Sequence, residues 1–380
     1  MPKVSEPRSQ LSVGVIGAGQ LALMMAEAAV KLPLTLSLLA GSADEAACAY
    51  FEHVAVGSAQ SFEDVTVFAR QLDATTFDHE LVNLDALITL QDEGVAVFPD
   101  AAALKFAVDK AYQRVIFSAE QLPVPDFIIL ESFDQAAIEN FAAQHPAGVV
   151  VKSARGGYDG RGVAVLQAGE SPHQVVSDFL SAGTVVLEAR VELLSELAIL
   201  IASDRTGQRV AYPAVDTVQR DGICVEVNYP SSLSPAQLDE AQSIAFAVAN
   251  RVDAVGLLAV ELFVTPTGIV INEVATRPHN SGHWTIEGTS VSQFENHLRG
   301  IAGLPVVAPQ AVAPFATMVN IIGTQRPGDL EAAQAVPGAH VHDYGKAWRP
   351  GRKLGHVSVV GDNRSAVTAK ARDVATLLQP

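Results

Sequence analysis

Cysteine is nearly absent: the 380 residues hold two, Cys48 and Cys224. Two thiols so far apart make neither a disulfide framework nor a C-x-x-C metal pair, which fits a reducing compartment, so a cytoplasmic address is expected. Basic residues are also scarce, 25 Lys and Arg against 42 Asp and Glu, a formal net charge of −17. A chain of this sign repels a nucleic-acid backbone or an anionic membrane, and neither is expected as a partner. Any phosphate ligand must then be held by a local basic cluster. No apolar run is long and unbroken enough to span a bilayer, and the opening MPKVSEPRSQ lacks the apolar centre of a signal peptide. What is present is a 49% hydrophobic, 18% charged chain whose length predicts two or three domains.

The pattern changes along the chain. From residue 12 to about 105, apolar strand candidates (Val13 to Ile16, Leu34 to Leu39, His53 to Val56, Ala74 to Phe77, Val95 to Phe98) alternate with helical stretches, including one to about Lys31, an Ala-rich one from Asp44, and Ser61 to Leu72. Such alternation predicts an α/β layer with a parallel sheet. A helix is read over Asp109 to Leu122. Beyond it, short strands at Val149 to Lys152, Gly162 to Leu166, Thr184 to Glu188 and Leu197 to Ala202, with a long helix at Pro235 to Val252, predict a largely antiparallel α+β unit. Pro305, Pro309 and Pro314 mark a linker to a small strand-rich end that closes in one helix.

Gly17, Gly19 and Ala22 after the first strand have the G-x-G-x-x-A spacing of a dinucleotide turn. The second strand runs into Ala40-Gly41-Ser42, so the ribose-binding carboxylate that such a site needs is missing. A second glycine-rich stretch, VVKSARGGYDGRGVAVL (150–166), lies between two strands with Lys152 at the end of the first. A hairpin of this kind can fold over a ligand and aim backbone N–H groups at phosphate while the lysine neutralises charge. A merely solvated hairpin is the alternative.

Each strand of GLLAVELFVTPTGIVINEV (256–274) carries one carboxylate, Glu261 and Glu273. A regular hairpin pairing Val264 with Ile269 would set Glu261 opposite Asn272; an odd loop or a bulge would set the two carboxylates side by side, where a cation must separate them. Mg²⁺ with phosphate oxygens is the economical cation, and structural pairing with Arg277 or a lysine is the alternative. The polar run Arg277, His279, Asn280, Ser281, Gly282, His283 follows directly, and either histidine is a candidate base or a structural residue. Lys346, Arg349, Arg352 and Lys353 crowd a stretch from Tyr344 to Gly361 that has no acid, which suits a phosphate monoester or a basic patch facing another domain.

Together, GAGQL, GGYDGRG, YPAV with RDGI, AVELFVTPTG, INEVATRPHNSGHWTIEG with SQFE, and PGRKLGH resemble the ATP-grasp N5-carboxyaminoimidazole ribonucleotide synthetases, over residues 12 to about 360. The resemblance implies an ATP-grasp fold: a Rossmann-like pre-ATP-grasp domain (1–106), an ATP-grasp domain (107–307) and a small β-rich C-terminal domain (308–380), in a homodimer. It implies ATP, Mg²⁺, bicarbonate and aminoimidazole ribonucleotide as ligands, with the first Gly turn binding no dinucleotide. ATP contacts fall on Lys110, Lys152, the loop Gly157, Tyr158, Asp159, Gly160, Arg161, Gly162, Val163, then Glu188, Ala189, Arg190, Val191, Glu196, Gln219 and Asn272. Glu261 and Glu273 stand for the Mg²⁺ ligands. Gln20, Leu21, Asp78 or Glu80, Tyr158, Asp159 and Arg161 fall at the aminoimidazole nucleotide, with Lys346 and Arg352 at its phosphate; Arg277 and His279 to His283 fall between the nucleotides. Gln219 and Lys110 replace a His and an Arg of many relatives, Phe77-Asp78-His79-Glu80 replaces Tyr-Glu-Phe-Glu, and Leu23 replaces an Arg. A sister ATP-grasp ligase for another acid is the alternative activity, and a nicotinamide oxidoreductase is the alternative from outside the ligases.

Overall fold

The computed structural model describes residues 10–156 and 162–379. Its first layer is the expected parallel sheet, in the order His53–Val56, Leu34–Ala40, Leu11–Ile16, Ala74–Phe77. The central strand is apolar on both faces because crossover helices, among them Gln20–Ala29 and Phe62–Ala69, cover it. Three local expectations fail here. The Ala-rich stretch from Asp44 forms only a 3-10 turn, Ala46–Tyr50, since the few residues before strand His53–Val56 cannot offset helix nucleation. Val95 to Phe98 makes only a bridge from Val97 to Thr75, cut short by Pro99, which has no N–H to continue a ladder. Helices Leu84–Asp92 and Ala101–Val108 were not foreseen; Asn83 and Asp100 cap them by accepting from the Ala86 and Ala103 amides.

The rest of the chain is antiparallel, as expected. A four-stranded sheet runs Phe127–Leu130, Val185–Ala189, Gly148–Ser153, Val163–Gln167. A larger sheet begins with the hairpin Gly268–Ala275 and Gly256–Thr265 and continues through Ser195–Ser203, Val215–Arg220 and Ile223–Tyr229. It does not stop at the prolines. Phe315–Ile322 pairs with Ile223–Tyr229, and Lys353–Gly361 and His340–Asp343 follow, so the C-terminal strands extend the same hydrogen-bonded sheet. Helix Pro235–Val252 has the bounds read from sequence because a capping box of Ser234 and Gln237, with Pro235 at the first position, fixes its start.

One buried histidine joins the layers. His297 on helix Gln293–Ile301 bonds Thr76 of the parallel sheet through Nε2 at 2.8 Å and accepts the Leu257 amide on Nδ1 at 3.0 Å. Burial pushes its pKa down to about 3, so it serves as a neutral hydrogen-bonding strut. Leu21, Met24 and Met25 of helix Gln20–Ala29 share a core with Phe294, Leu298 and Ile301 of the same strut helix.

Candidate active site

A buried ion cluster forms the floor. Asp109 caps helix Lys110–Ala119, and Lys110 and Arg114, one turn apart, share a face of it. Glu188, on strand Val185–Ala189, takes Arg114 Nε at 2.7 Å on one carboxylate oxygen and Lys152 Nζ at 2.8 Å on the other. Burial opposes its charge, but Arg114 and Lys152 outweigh it and hold the pKa down at about 2. Burial, with Arg114 nearby, lowers Lys152 despite Glu188. One carboxylate facing two cations leaves a positive charge at the cavity wall, ready for an anion.

The hairpin carboxylates sit above this floor. Val264 faces Ile269 and Leu262 faces Ile271, the regular register, but a bulge at Asn272 then sets Glu261 opposite Glu273. The bulge is pinned from below: Arg114 donates to the Asn272 carbonyl at 2.6 Å, and Lys152 reaches its side-chain oxygen at 3.4 Å. Burial first, then the charges of Glu273 and Glu196, push Glu261 up to about 8. Burial likewise lifts Glu196 to about 7. Lys110 approaches Glu273 at 3.7 Å and His279 approaches Glu261 at 3.7 Å, while the charges of Lys353 and Arg277 only partly counter the rise at Glu261. Among the described residues no three His, Cys, Asp or Glu side chains form a metal cage. The pair nonetheless fits a hard cation that takes two carboxylates and completes its shell with phosphate oxygens.

These groups line a cavity of about 380 Å³. Lys110, Lys152, Glu188, Glu196, Glu261 and Glu273 supply its charge, and Val163, Ala189 and Val191 its apolar wall. Gln219, Asn272, His279 and Asn280 also line it. Arg190 turns away to the Ala147 carbonyl, 3.2 Å distant. Gly162 accepts the Ser153 amide at the mouth of the glycine-rich hairpin. Gly157, Tyr158, Asp159, Gly160 and Arg161 lie outside the described residues. A larger hollow of about 520 Å³ opens elsewhere, between the hairpin ending at Arg220 and helix Arg364–Leu378, where Arg372 and Glu226 pair with each other.

The polar run divides between the cavity and its support. Arg277 pairs with Glu80 at 2.6 Å, tying the loop to the end of the parallel sheet. The His279 ring holds Ser281 on Nδ1 at 2.9 Å and faces Glu261 with Nε2. Asn280 exchanges amide hydrogen bonds with Asn320, at 2.9 and 2.6 Å. His283 is different: fully buried, it packs against Phe294 and His356 and does not reach the cavity. Burial holds its pKa well below the ordinary value, so it is a neutral packing residue and the base candidate that remains is His279. On the other side of Arg277, Gln20 accepts from Lys346, which also lies over the Tyr344 ring. Arg352 donates to the Ala347 carbonyl. The Leu21 side chain is core, so only its backbone is available to a ligand.

Asp78 explains the first glycine turn. Its carboxylate accepts the Gly19 amide at 2.7 Å and the Ala22 amide at 3.0 Å, occupying the helix N-terminus where a dinucleotide phosphate would sit. A Cβ on Gly19 would stand 2.2 Å from that carboxylate. The turn is real and its anion seat is filled by the chain itself.

Three functional positions were missed in the sequence. Arg114 was legible as the residue one helical turn after Lys110; Lys353 lay in the basic run and lines the cavity beside Glu261. Gln293 lay in the SQFE stretch, but nothing local showed its grip on the 279–283 loop.

A three-layer chain with carboxylates from neighbouring strands over a lysine-bearing antiparallel sheet is an ATP-grasp ligase. Family models agree: the ribonucleotide synthetase preATP-grasp domain matches residues 11–108, the ATP-grasp domain 115–294, and the phosphoribosylaminoimidazole carboxylase C-terminal domain 316–370. N5-carboxyaminoimidazole ribonucleotide synthase of Mycobacterium leprae is 42% identical over 93% of this chain and 84% of its own length. That of Pseudomonas aeruginosa is 35% identical over 97% and 100%. The Thermus thermophilus synthetase structure superposes with a TM-score of 0.86 at 32% identity, covering 97% of this chain and 99% of that one. The Aspergillus clavatus synthase, solved with ADP and 5-aminoimidazole ribonucleotide, gives 0.87 at 29% over 97% and 99%. The chain belongs to the N5-carboxyaminoimidazole ribonucleotide synthase family, and its activity is the ATP-dependent carboxylation step of purine biosynthesis.

Proposed function

We propose that this site carboxylates 5-aminoimidazole ribonucleotide with bicarbonate, using ATP, through carboxyphosphate. The observation that carries the reading is the bulge at Asn272, which brings Glu261 and Glu273 together beside Lys152. Lys110, Lys152 and Asn272 face the phosphates of ATP, and Glu196, Gln219, Ala189 and Val191 face its nucleoside. Glu261 and Glu273 would hold Mg²⁺, which when bound supplies charge stabilisation at the transferring phosphoryl group. A bicarbonate oxygen bonds to the γ-phosphorus as the bond to the ADP oxygen breaks. Carboxyphosphate then splits to phosphate and CO₂, and the substrate's exocyclic amine forms the N–C bond, its proton leaving to the departing phosphate.

Arg277 and His279 orient bicarbonate between the nucleotides. Gln20, Lys346 and Arg352 receive the aminoimidazole nucleotide and its phosphate, while Asp78 shapes that end from the helix N-terminus and Glu80 fixes Arg277. The chain divides functionally near residues 106 and 307 and works as a homodimer in the cytoplasm; among the described residues no helix is long and apolar enough to cross a membrane.

The test is phosphate release from ATP in bicarbonate-depleted buffer with aminoimidazole ribonucleotide, then with bicarbonate restored, for the wild type and Glu273→Gln. Turnover should need bicarbonate, and the variant should lose at least about 100-fold in kcat with its fold intact. Equal rates with and without bicarbonate would move the sister-ligase reading ahead, and an active variant would sink the metal assignment.

A further inference from the structure

We infer that Gln293 is a positioning residue that holds His279 at the reaction centre by gripping its backbone. The two residues are 14 positions apart. Gln293 opens helix Gln293–Ile301 and is fully buried, yet each of its polar groups has a partner. Its side-chain oxygen accepts the His279 N–H at 2.9 Å, and its side-chain nitrogen donates to the His279 carbonyl at 2.8 Å. A side-chain amide thus pairs with both polar groups of one residue, as a neighbouring strand would pair with a strand.

The remaining N–H of that amide meets His283 Nδ1 at 3.0 Å. An amide nitrogen has only donors, so His283 must accept on Nδ1 and carry its proton on Nε2. This accounts for the buried His283 that does not reach the cavity: it is the far anchor of the clamp. Above the clamp, Thr285 donates to the Gly282 carbonyl at 2.6 Å and accepts the Gln293 amide at 2.9 Å, closing the loop on the helix start. A Cβ at position 282 would lie 2.3 Å from the Gln293 oxygen, so glycine is required for the amide to fit. With the backbone fixed, the Ser281 contact on Nδ1 leaves Nε2 as the ring atom turned to Glu261.

A glutamate has the same shape but no donor, and a leucine has neither donor nor acceptor. The inference rests on the placing of His279 at the chemistry proposed above, and the experiment separates the two. Gln293→Leu and Gln293→Glu are assayed for bicarbonate-dependent ATP turnover, alone and combined with His279→Asn, with amide hydrogen exchange followed at His279. Each Gln293 variant should lose about 100-fold in kcat, the cost of a displacement near 1 Å at a reacting group, while KM for ATP stays within about twofold. In the His279→Asn background the same change should cost almost nothing more. Losses that multiply in the double variant, or kcat unchanged in both single variants, would overturn the positioning role. If His279→Asn alone is fully active, the reading of His279 at the chemistry fails by itself. The clamp is then judged by exchange: a rise of about tenfold or more at the His279 amide in Gln293→Leu supports it, and an unchanged rate overturns it.

Discussion

Replacing Glu188 with glutamine keeps its volume and removes the one negative charge between Arg114 and Lys152, in a position only 2% exposed. The carboxyl is held at about 2 against an ordinary 4.5, a difference worth about 3 kcal/mol once both states are ionised. That agrees with the roughly 3–5 kcal/mol lost when one partner of a buried pair is removed. The folded pKa is depressed, so this stabilisation is present above about 4.5 and is lost as pH falls from there towards 2. At pH 3.5 about 1.4 kcal/mol of it is gone by the same relation. Urea unfolding of wild type and Glu188→Gln, followed by tryptophan emission, to which Trp284, buried against the large sheet, contributes, should therefore give a gap of about 3 kcal/mol at pH 7 that narrows by about 1.4 kcal/mol at pH 3.5. A gap below about 1 kcal/mol at pH 7, or the same gap at both, would refute the ion cluster as a stabilising element.

Lys346→Ala should raise KM for aminoimidazole ribonucleotide by about 10- to 100-fold, the worth of a charged hydrogen bond, and barely move KM for ATP; parallel rises in both would assign Lys346 to structure. The surroundings of His342 favour its charged form. Burial opposes its charge, but its 2.7 Å bond to Glu287 and the charges of Glu287 and Glu27 outweigh that and raise its pKa. Its stabilisation is thus complete below about 6.5 and lost as pH rises through the raised value. Thermal midpoints of the wild type should fall from pH 6.5 upward more steeply than those of His342→Gln, and parallel slopes would show that the pair contributes nothing.

The site was legible where a residue type conflicts with its surroundings. Glu261 and Glu273 stood out because carboxylates are costly in apolar strands, and the need to bring them to one face called for an odd loop or a bulge; the structure has a bulge, at Asn272. Lys152 stood out at the end of an apolar strand before glycines. The 279–283 run was less legible, because a string of donors does not say which way each side chain turns. His279 and His283 are equivalent on paper, yet one faces Glu261 and the other the Gln293 amide. What separates them is Gln293, on helix Gln293–Ile301. The C-terminal strands escaped for a similar reason: Pro305, Pro309 and Pro314 do interrupt regular structure, but nothing local reveals that Phe315–Ile322 pairs with Ile223–Tyr229, far earlier in the chain.

The first glycine turn shows how a nucleotide-binding shape can be kept while its binding is lost. Gly17, at a φ of +97°, and Gly19 still bring a strand end close to the start of helix Gln20–Ala29, whose unpaired amides carry the positive end of the helix dipole. In a dinucleotide site that end receives pyrophosphate. Here Asp78, just past strand Ala74–Phe77, neutralises it from inside, and the glycines are needed because a Cβ at Gly17 would meet Asp78 and His79 at 3.1 Å and one at Gly19 would meet the Asp78 carboxylate at 2.2 Å. Gln20, at the first position of the helix, turns its side chain to Lys346, near the other end of the chain. The turn therefore serves as a rigid seat that brings an early and a late part of the chain together through Gln20 and Lys346, with Glu80 gripping Arg277 two residues beyond Asp78. A glycine fingerprint reports only the close approach of backbone to an anion; whether that anion is a cofactor or the chain's own carboxylate is decided by the residue at the end of the neighbouring strand.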